Sequence, residues 1–164
     1  IVLSNSMKNT LVDVERIKSR IDVISPWALK NIYPVPRQDN PYARQLGIDK
    51  KFIVQYSGNF GRLHDMQTLL DSSLFLLNDN ISYLFIGSGA KLNDIIDFKD
   101  RTNNDLIIIQ GYQPRENLSN TLGASDISVV SMLEGVHNVS MPSKFFNSFF
   151  KFSYAIRDTY STTN

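Results

Sequence analysis

Residues 52–65 read FIVQYSGNFGRLHD, and the order of residue types in that stretch decides the fold. Phe52, Ile53, Val54 and Tyr56 make a short, mostly apolar, β-rich run with no helical period, which suits a central strand covered on both faces. Gly58 and Gly61 then free the backbone to turn sharply. Asp65 stands where it can cap a following helix, in which Met66, Leu69, Leu70, Leu74 and Leu77 recur on one face. A strand that ends in a glycine turn at a helix N-terminus aims several N–H groups at one point, which favours an anion and commonly a phosphate. The competing reading is an ordinary tight βα turn, because GNFG is not a complete phosphate fingerprint.

Downstream of this stretch the same alternation repeats. The pattern predicts strands over 52–57, 81–86, 106–109 and 127–131, with helices over 65–77, 90–98 and 115–122 between them. Strands separated by helix-length crossovers require a largely parallel sheet with helices on its faces, so the fold class is α/β, doubly wound and Rossmann-like. Each strand ends in small or polar residues: Gly58 with Asn59, Gly87-Ser88-Gly89, Gly111, and the segment from Met132 to Gly135. In open α/β sheets ligands sit beyond the carboxyl ends of the strands, so these loops together form one candidate site. That convergence favours the phosphate reading over the bare turn.

Upstream, Ile1 to Leu3 and Ile21 to Ile24 read as short extended runs flanking a helix that contains Met7, Leu11 and Val14. Pro26, Pro34, Pro36 and Pro41 then fall close together, which marks a linker and a domain boundary. A short helix is expected near Ala43 to Leu46, closed by Gly47. The expected organisation is the end of a preceding acceptor-side domain plus linker over 1–40, a nucleotide-binding Rossmann-like domain over 41–147, and an atypical tail over 148–164.

With 164 residues, 42% of them hydrophobic, the chain can bury one ordinary core. It opens without an initiator Met, a signal peptide or an apolar run of spanning length, which reads as the interior of a longer protein. There is no Cys, so disulfide frameworks and thiolate metal sites are excluded, and a reducing, cytoplasmic compartment is expected. A net charge of +1 gives no basis for non-specific nucleic-acid binding, so no nucleic-acid partner is expected. Basic residues do outnumber acidic ones over 1–51, which suits a membrane surface or a phosphorylated partner, and a solvated helix face at least as well.

Several chemistries are excluded by spacing. Gly87-Ser88-Gly89 resembles the start of a dinucleotide fingerprint, but the third glycine position holds Leu92, and the next strand ends at Gln110 rather than at an acid. No Lys-Ser or Lys-Thr pair follows a glycine-rich loop, so there is no P-loop. His64 and His137 have no carboxylates at metal-ligand spacing and read as loop or cap residues. No G-x-S-x-G elbow supports a hydrolase.

Taken in order, YSGNFGRLHDMQTLL, FIGSGAKL and IIIQGYQPRENLSNTLGASDISVVSMLEGVHNVSMPSK resemble the donor-binding half of bacterial family 4 retaining glycosyltransferases, which have the GT-B fold. The likeness is strongest to the YSGN and PSK subgroup that builds capsule, colanic acid and O-antigen repeat units. It implies a nucleoside-diphosphate sugar as donor substrate, most simply a UDP-sugar, with no metal required. It further implies a lipid-linked or glycan acceptor, an N-terminal domain that this chain lacks, and a cytoplasmic location, peripheral at the inner face of the membrane. By position, Gly58 and Asn59 bring main-chain donors to the distal phosphate and Arg62 adds a planar charged fork, although an exposed salt-bridging Arg is an equally common fate. The Lys that often accompanies this Arg falls on His64. Gly111 and Tyr112 stand where the family holds the base. Glu134 matches the acidic residue near the donor sugar and is the catalytic candidate, but the second acid expected eight positions on is Pro142.

In the PSK subgroup a ribose-binding acid follows the Lys by three residues, and that position is Asn147, which can hydrogen-bond without charge assistance. Lys144, beside Ser143 at a helix start, opposes the helix dipole unless an anion lies between them; the alternative is a surface Lys reaching for water. Beyond Asn147 the likeness stops: SFFKFSYAIRDTYSTTN carries Phe149, Phe150 and Phe152 where close packing wants small residues, as expected of a truncated or frame-altered end. The alternative from another class is a non-catalytic flavodoxin-like nucleotide-binding or interaction module. A nucleotide-sugar epimerase is disfavoured by the missing dinucleotide fingerprint.

Overall fold

A computed structural model describes residues 1–14, 16–26, 32–33, 35–75, 80–134 and 136. In chain order the elements are α1 (Asn5–Asp13), α2 (Pro41–Gln45), β1 (Phe52–Asn59), α3 (Gln67–Phe75), β2 (Ile81–Ser88), α4 (Leu92–Thr102), β3 (Ile107–Gln110), α5 (Leu118–Gly123) and β4 (Ile127–Ser128). The four strands form one parallel sheet in the order β3-β2-β1-β4. Parallel neighbours cannot be joined by tight turns, so each crossover carries a helix. The sheet starts at β1, builds outward through β2 and β3, then returns to place β4 on the other side of β1. The strand order therefore reverses between β1 and β4, and the crevice of this sheet lies at their carboxyl ends.

Alternate residues of β1 and β2 face opposite sides, and each side is buried. On one, Tyr56, Tyr83, Phe85 and Ile107 pack under Leu69 and Leu70 of α3 and Ile95 and Phe98 of α4. On the other, Ile53, Leu84 and Ile86 pack against Tyr42 and Ala43 of α2 and Ala124 at the end of α5. Helices on both faces make the molecule doubly wound, as the sequence pattern predicts. Burial raises the Tyr42 phenol to about 12 and pushes that of Tyr56 upward too, as expected of hydroxyls inside an apolar layer.

Local chemistry fixes the element ends. Asp65 accepts from the Thr68 amide at 3.1 Å at the head of α3. Asn40 is fully buried and caps α2: its Oδ1 accepts from the Tyr42 and Ala43 amides at 3.0 and 3.2 Å, while its Nδ2 donates to the Asn120 carbonyl of α5 at 2.8 Å. Pro41 opens α2, and Gly47, at φ +65, follows its end, as expected. Asp126 ties the start of β4 to β1 by accepting from the Ile53 amide at 2.6 Å, and Arg37 pairs with the same carboxylate. In the leading segment Val2 and Val23 form a parallel bridge around α1, whose N-cap Ser4 accepts from the Met7 amide at 3.1 Å.

Some expectations change in detail. The segment expected as one helix over 115–122 opens with a 3-10 turn (Arg115–Asn117) before α5. The last strand stops at Ser128 instead of reaching Ser131, because the chain bends toward the turn after β1. Leu74 is 41% exposed, so the buried apolar residues of α3 are Leu69 and Leu70, continued by Met66 just before it; Leu77 lies outside the described residues.

Candidate functional site

Four parallel strands deliver their ends to one edge of the sheet, and glycine lets β1 and β2 pack there without side chains intervening. Gly58, at φ +124, sits opposite Gly87, at φ +137, in the β1–β2 ladder. A Cβ on Gly87 would lie 2.0 Å from the Gly58 carbonyl oxygen, and one on Gly89 would lie 2.7 Å from the Phe60 amide nitrogen. The Phe60 amide donates to the Ser88 carbonyl at 2.8 Å, and the Lys91 amide donates to the Phe60 carbonyl at 3.0 Å. Gly87-Ser88-Gly89 thus serves close backbone approach between two strand ends, which accounts for its partial likeness to a dinucleotide motif. Gly61 has no left-handed φ; the unusual backbone belongs to Gly58, inside β1.

The turn that follows β1 is supported differently from a bare phosphate loop. Asp65 occupies the N-terminus of α3, and its carboxyl is held below the usual range by hydrogen bonds from the Thr68 side chain and backbone, with Lys91 adding attraction. The helix end that could receive an external anion thus already has a carboxylate of its own. Arg62 is exposed on this turn, and among the described residues no salt bridge to it is formed.

Across the crevice, the chain after β4 is fastened to the turn after β1. The Leu133 amide donates to the Leu63 carbonyl at 3.0 Å, and His64 Nδ1 lies 2.9 Å from the Ser131 carbonyl oxygen. Glu134 is the next residue and is exposed. Arg62 and Glu134, far apart in sequence, are therefore brought to neighbouring positions by the backbone, since each adjoins one end of the Leu63–Leu133 hydrogen bond.

Beside the β1 and β2 ends, on the α5 face, an open cavity of ≈ 280 Å³ has Ser57, Gly58, Ile86 and Gly87 as its floor. Its wall is the loop from Tyr112 to Arg115 together with Leu118 and Thr121. That volume is at the small end of ligand pockets, which start at about 300 Å³ for drug-sized molecules, so it suits one ring system rather than a whole nucleotide sugar. Tyr112 is 81% exposed and stands at the rim.

The expected site residues separate accordingly. Gly58 and Tyr112 line the cavity; Asn59 ends β1 beside it; Gly111 adjoins Tyr112 but does not line it; Arg62 and Glu134 do not line it and flank the Leu63–Leu133 hydrogen bond, both exposed. Ser143, Lys144 and Asn147 lie outside the described residues. Sequence reasoning missed Gln113, Arg115 and Thr121 on the cavity wall, where the only signal was the polar run following Tyr112. Among the described residues no group of three or more His, Asp or Glu is placed to hold a metal, and no helix is long and apolar enough to cross a membrane.

No family model matches the chain. It is 26% identical over 145 residues to a probable glycosyltransferase, WbjE, of Pseudomonas aeruginosa, a match that takes in 88% of this chain and 36% of WbjE. The chain thus spans about a third of the length of that curated relative. Among solved structures it is similar to Anabaena HepE in complex with UDP, at TM-score 0.54 and 16% identity over 65% of this chain and 30% of HepE. S. aureus TarM in complex with fondaparinux, alpha-GlcNAc-glycerol and UDP gives TM-score 0.52 at 13% identity, over 77% of this chain and 24% of TarM. The lipopolysaccharide outer core galactosyltransferase WaaB gives 0.50 at 18%, over 77% of this chain and 34% of WaaB. At such identities structural likeness speaks for fold, and function has to be argued from the site. The chain carries the Rossmann-like α/β fold of the GT-B glycosyltransferases.

Proposed function

We propose that this chain is the donor-binding part of a retaining GT-B glycosyltransferase of the family 4 YSGN and PSK subgroup. It would take a UDP-sugar as donor and serve transfer to a lipid-linked or glycan acceptor in bacterial surface polysaccharide synthesis. The observation that carries this reading is the carboxyl edge of the sheet. There a ring-sized cavity under Tyr112 adjoins a crevice that sets Arg62 and Glu134 on neighbouring backbone positions at the strand-order reversal. The match to WbjE and the UDP complexes of similar fold support the same reading.

On this proposal the base enters the cavity and the diphosphate lies along Gly58 and Asn59 toward Arg62, whose planar fork suits phosphate oxygens. Lys144, beside Ser143, supplies a second cation, and Asn147 takes a ribose hydroxyl. Glu134 stands beside the donor sugar. Catalysis then consists of stabilising the departing diphosphate while an acceptor hydroxyl attacks, so electrostatics and positioning contribute most of the rate. Acceptor positioning belongs to a further domain, and the 164-residue chain is expected to bind donor without sustained sugar transfer.

Calorimetric titration of this chain with UDP, and with NAD as the control, tests the proposal. Saturable UDP binding, weakened by Arg62→Ala and Lys144→Ala more at low than at high salt, is the expected result. Equal affinity for NAD, or affinity for UDP unchanged by both substitutions, would overturn it.

A further inference from the structure

His64 stands where three loops meet. Its ring Nδ1 lies 2.9 Å from the Ser131 carbonyl oxygen, and because a carbonyl only accepts, Nδ1 carries the proton. Its own carbonyl accepts from Lys91 Nζ, in the loop after β2, at 2.7 Å, and its amide donates to the Gly61 carbonyl within its own turn at 3.1 Å. The ring is held in place: it meets the fully buried Tyr56 edge-on, with centroids 6.1 Å apart, and a Cβ on Gly61 would come within 3.1 Å of it.

Among the described residues, few other backbone hydrogen bonds hold the segment it grips. β4 pairs with β1 through two residue pairs, Val54 with Ile127 and Gln55 with Ser128; at its start the Asp126 amide donates to the Ile53 carbonyl and the Asp126 carboxylate accepts from the Ile53 amide, and at its end the Val129 amide donates to the Gln55 carbonyl. Beyond Val129, the hydrogen bonds from His64 to Ser131 and from Leu133 to Leu63 fasten residues 131–133 to the turn after β1.

We propose that His64 is a positioning residue that latches the segment after β4 to the turn after β1, and so fixes where Glu134 stands relative to Arg62. What that rim receives rests on the donor-binding reading; the latch does not. A donor at Nδ1 is what the geometry needs, so an Asn amide, which places its N–H at the same distance from the Cβ, can replace it. A Gln amide reaches one bond too far.

The test uses the 164-residue chain with His64→Ala, His64→Asn and His64→Gln. Amide hydrogen exchange at Leu133 is expected to quicken by about tenfold in the Ala and Gln variants and to return close to the unaltered rate in the Asn variant, with the Leu84 amide of β2 unchanged. In calorimetry, UDP affinity is expected to hold within about twofold while UDP-glucose affinity falls by about tenfold in the Ala variant. If His64→Ala does not fold, the Asn and Gln pair carries the same contrast. Leu133 exchange that ignores all three substitutions, or that Gln restores and Asn does not, overturns the latch. A latch response at Leu133 in a chain that binds neither UDP nor UDP-glucose supports this inference while removing the donor reading.

Discussion

Gly87 shows how much of the site is written into single residues. Its φ of +137 already strains any side chain, and a Cβ there would meet the Gly58 carbonyl oxygen at 2.0 Å. Gly87→Ala is therefore expected to cost about 3 kcal/mol or more of stability, since the clash is with backbone that cannot swing aside. Chemical denaturation checks this, and an unchanged midpoint would mean the two strand ends are not in contact. Asp65 gives a pH-dependent case. Its folded pKa is lowered, first by the Thr68 side chain, so the ionised form stabilises the fold above the unfolded carboxylate range, and that contribution is lost as pH falls through the folded value. The stability gap between the unaltered chain and Asp65→Asn is expected to be flat near neutrality and to close below about pH 4. Denaturation midpoints across pH measure it, and a gap that widens on acidification would contradict the assignment. At this scale the sequence declared the cap, since Asp65 precedes an apolar helical stripe. It did not declare the His64–Ser131 bond, because nothing in local pattern pairs residues whose closeness depends on the strand order.

At the scale of elements, Asn40 joins two helices through one buried side chain. It caps α2 with its oxygen and reaches the Asn120 carbonyl of α5 with its nitrogen. Asn40→Ala loses the cap and strands a carbonyl, so a loss of about 2 kcal/mol is expected from thermal or chemical unfolding. Asn40→Asp keeps the cap alone and should recover only part. Strands β1 and β2 and helices α3 and α4 were legible in the sequence because their apolar periods are long and bounded by Gly or Asp. Two boundaries were not. Pro114 leads into a 3-10 turn rather than directly into α5, and the last strand yields after Ser128 to hydrogen bonds with the β1 turn. Both are tertiary outcomes: the first lies at the cavity wall and the second at the crevice, so the local pattern misleads where the chain forms its candidate site.

For the whole molecule, parallel strands with the order reversing between β1 and β4 put the ends of four sequence segments on one edge. That convergence was predictable from the alternation of strands and helices; the division into a cavity and a neighbouring crevice was not, because it depends on how α5 packs. A UDP-linked donor is proposed to bind at this edge. Amide hydrogen exchange of the 164-residue chain, with and without saturating UDP, tests it most directly. Protection is expected at 57–64, 86–91 and 111–115, and none at the opposite edge of the sheet around 50–53 and 80–82. Protection confined to that opposite edge, or calorimetric binding with no protection at any of the three carboxyl-end segments, would contradict it.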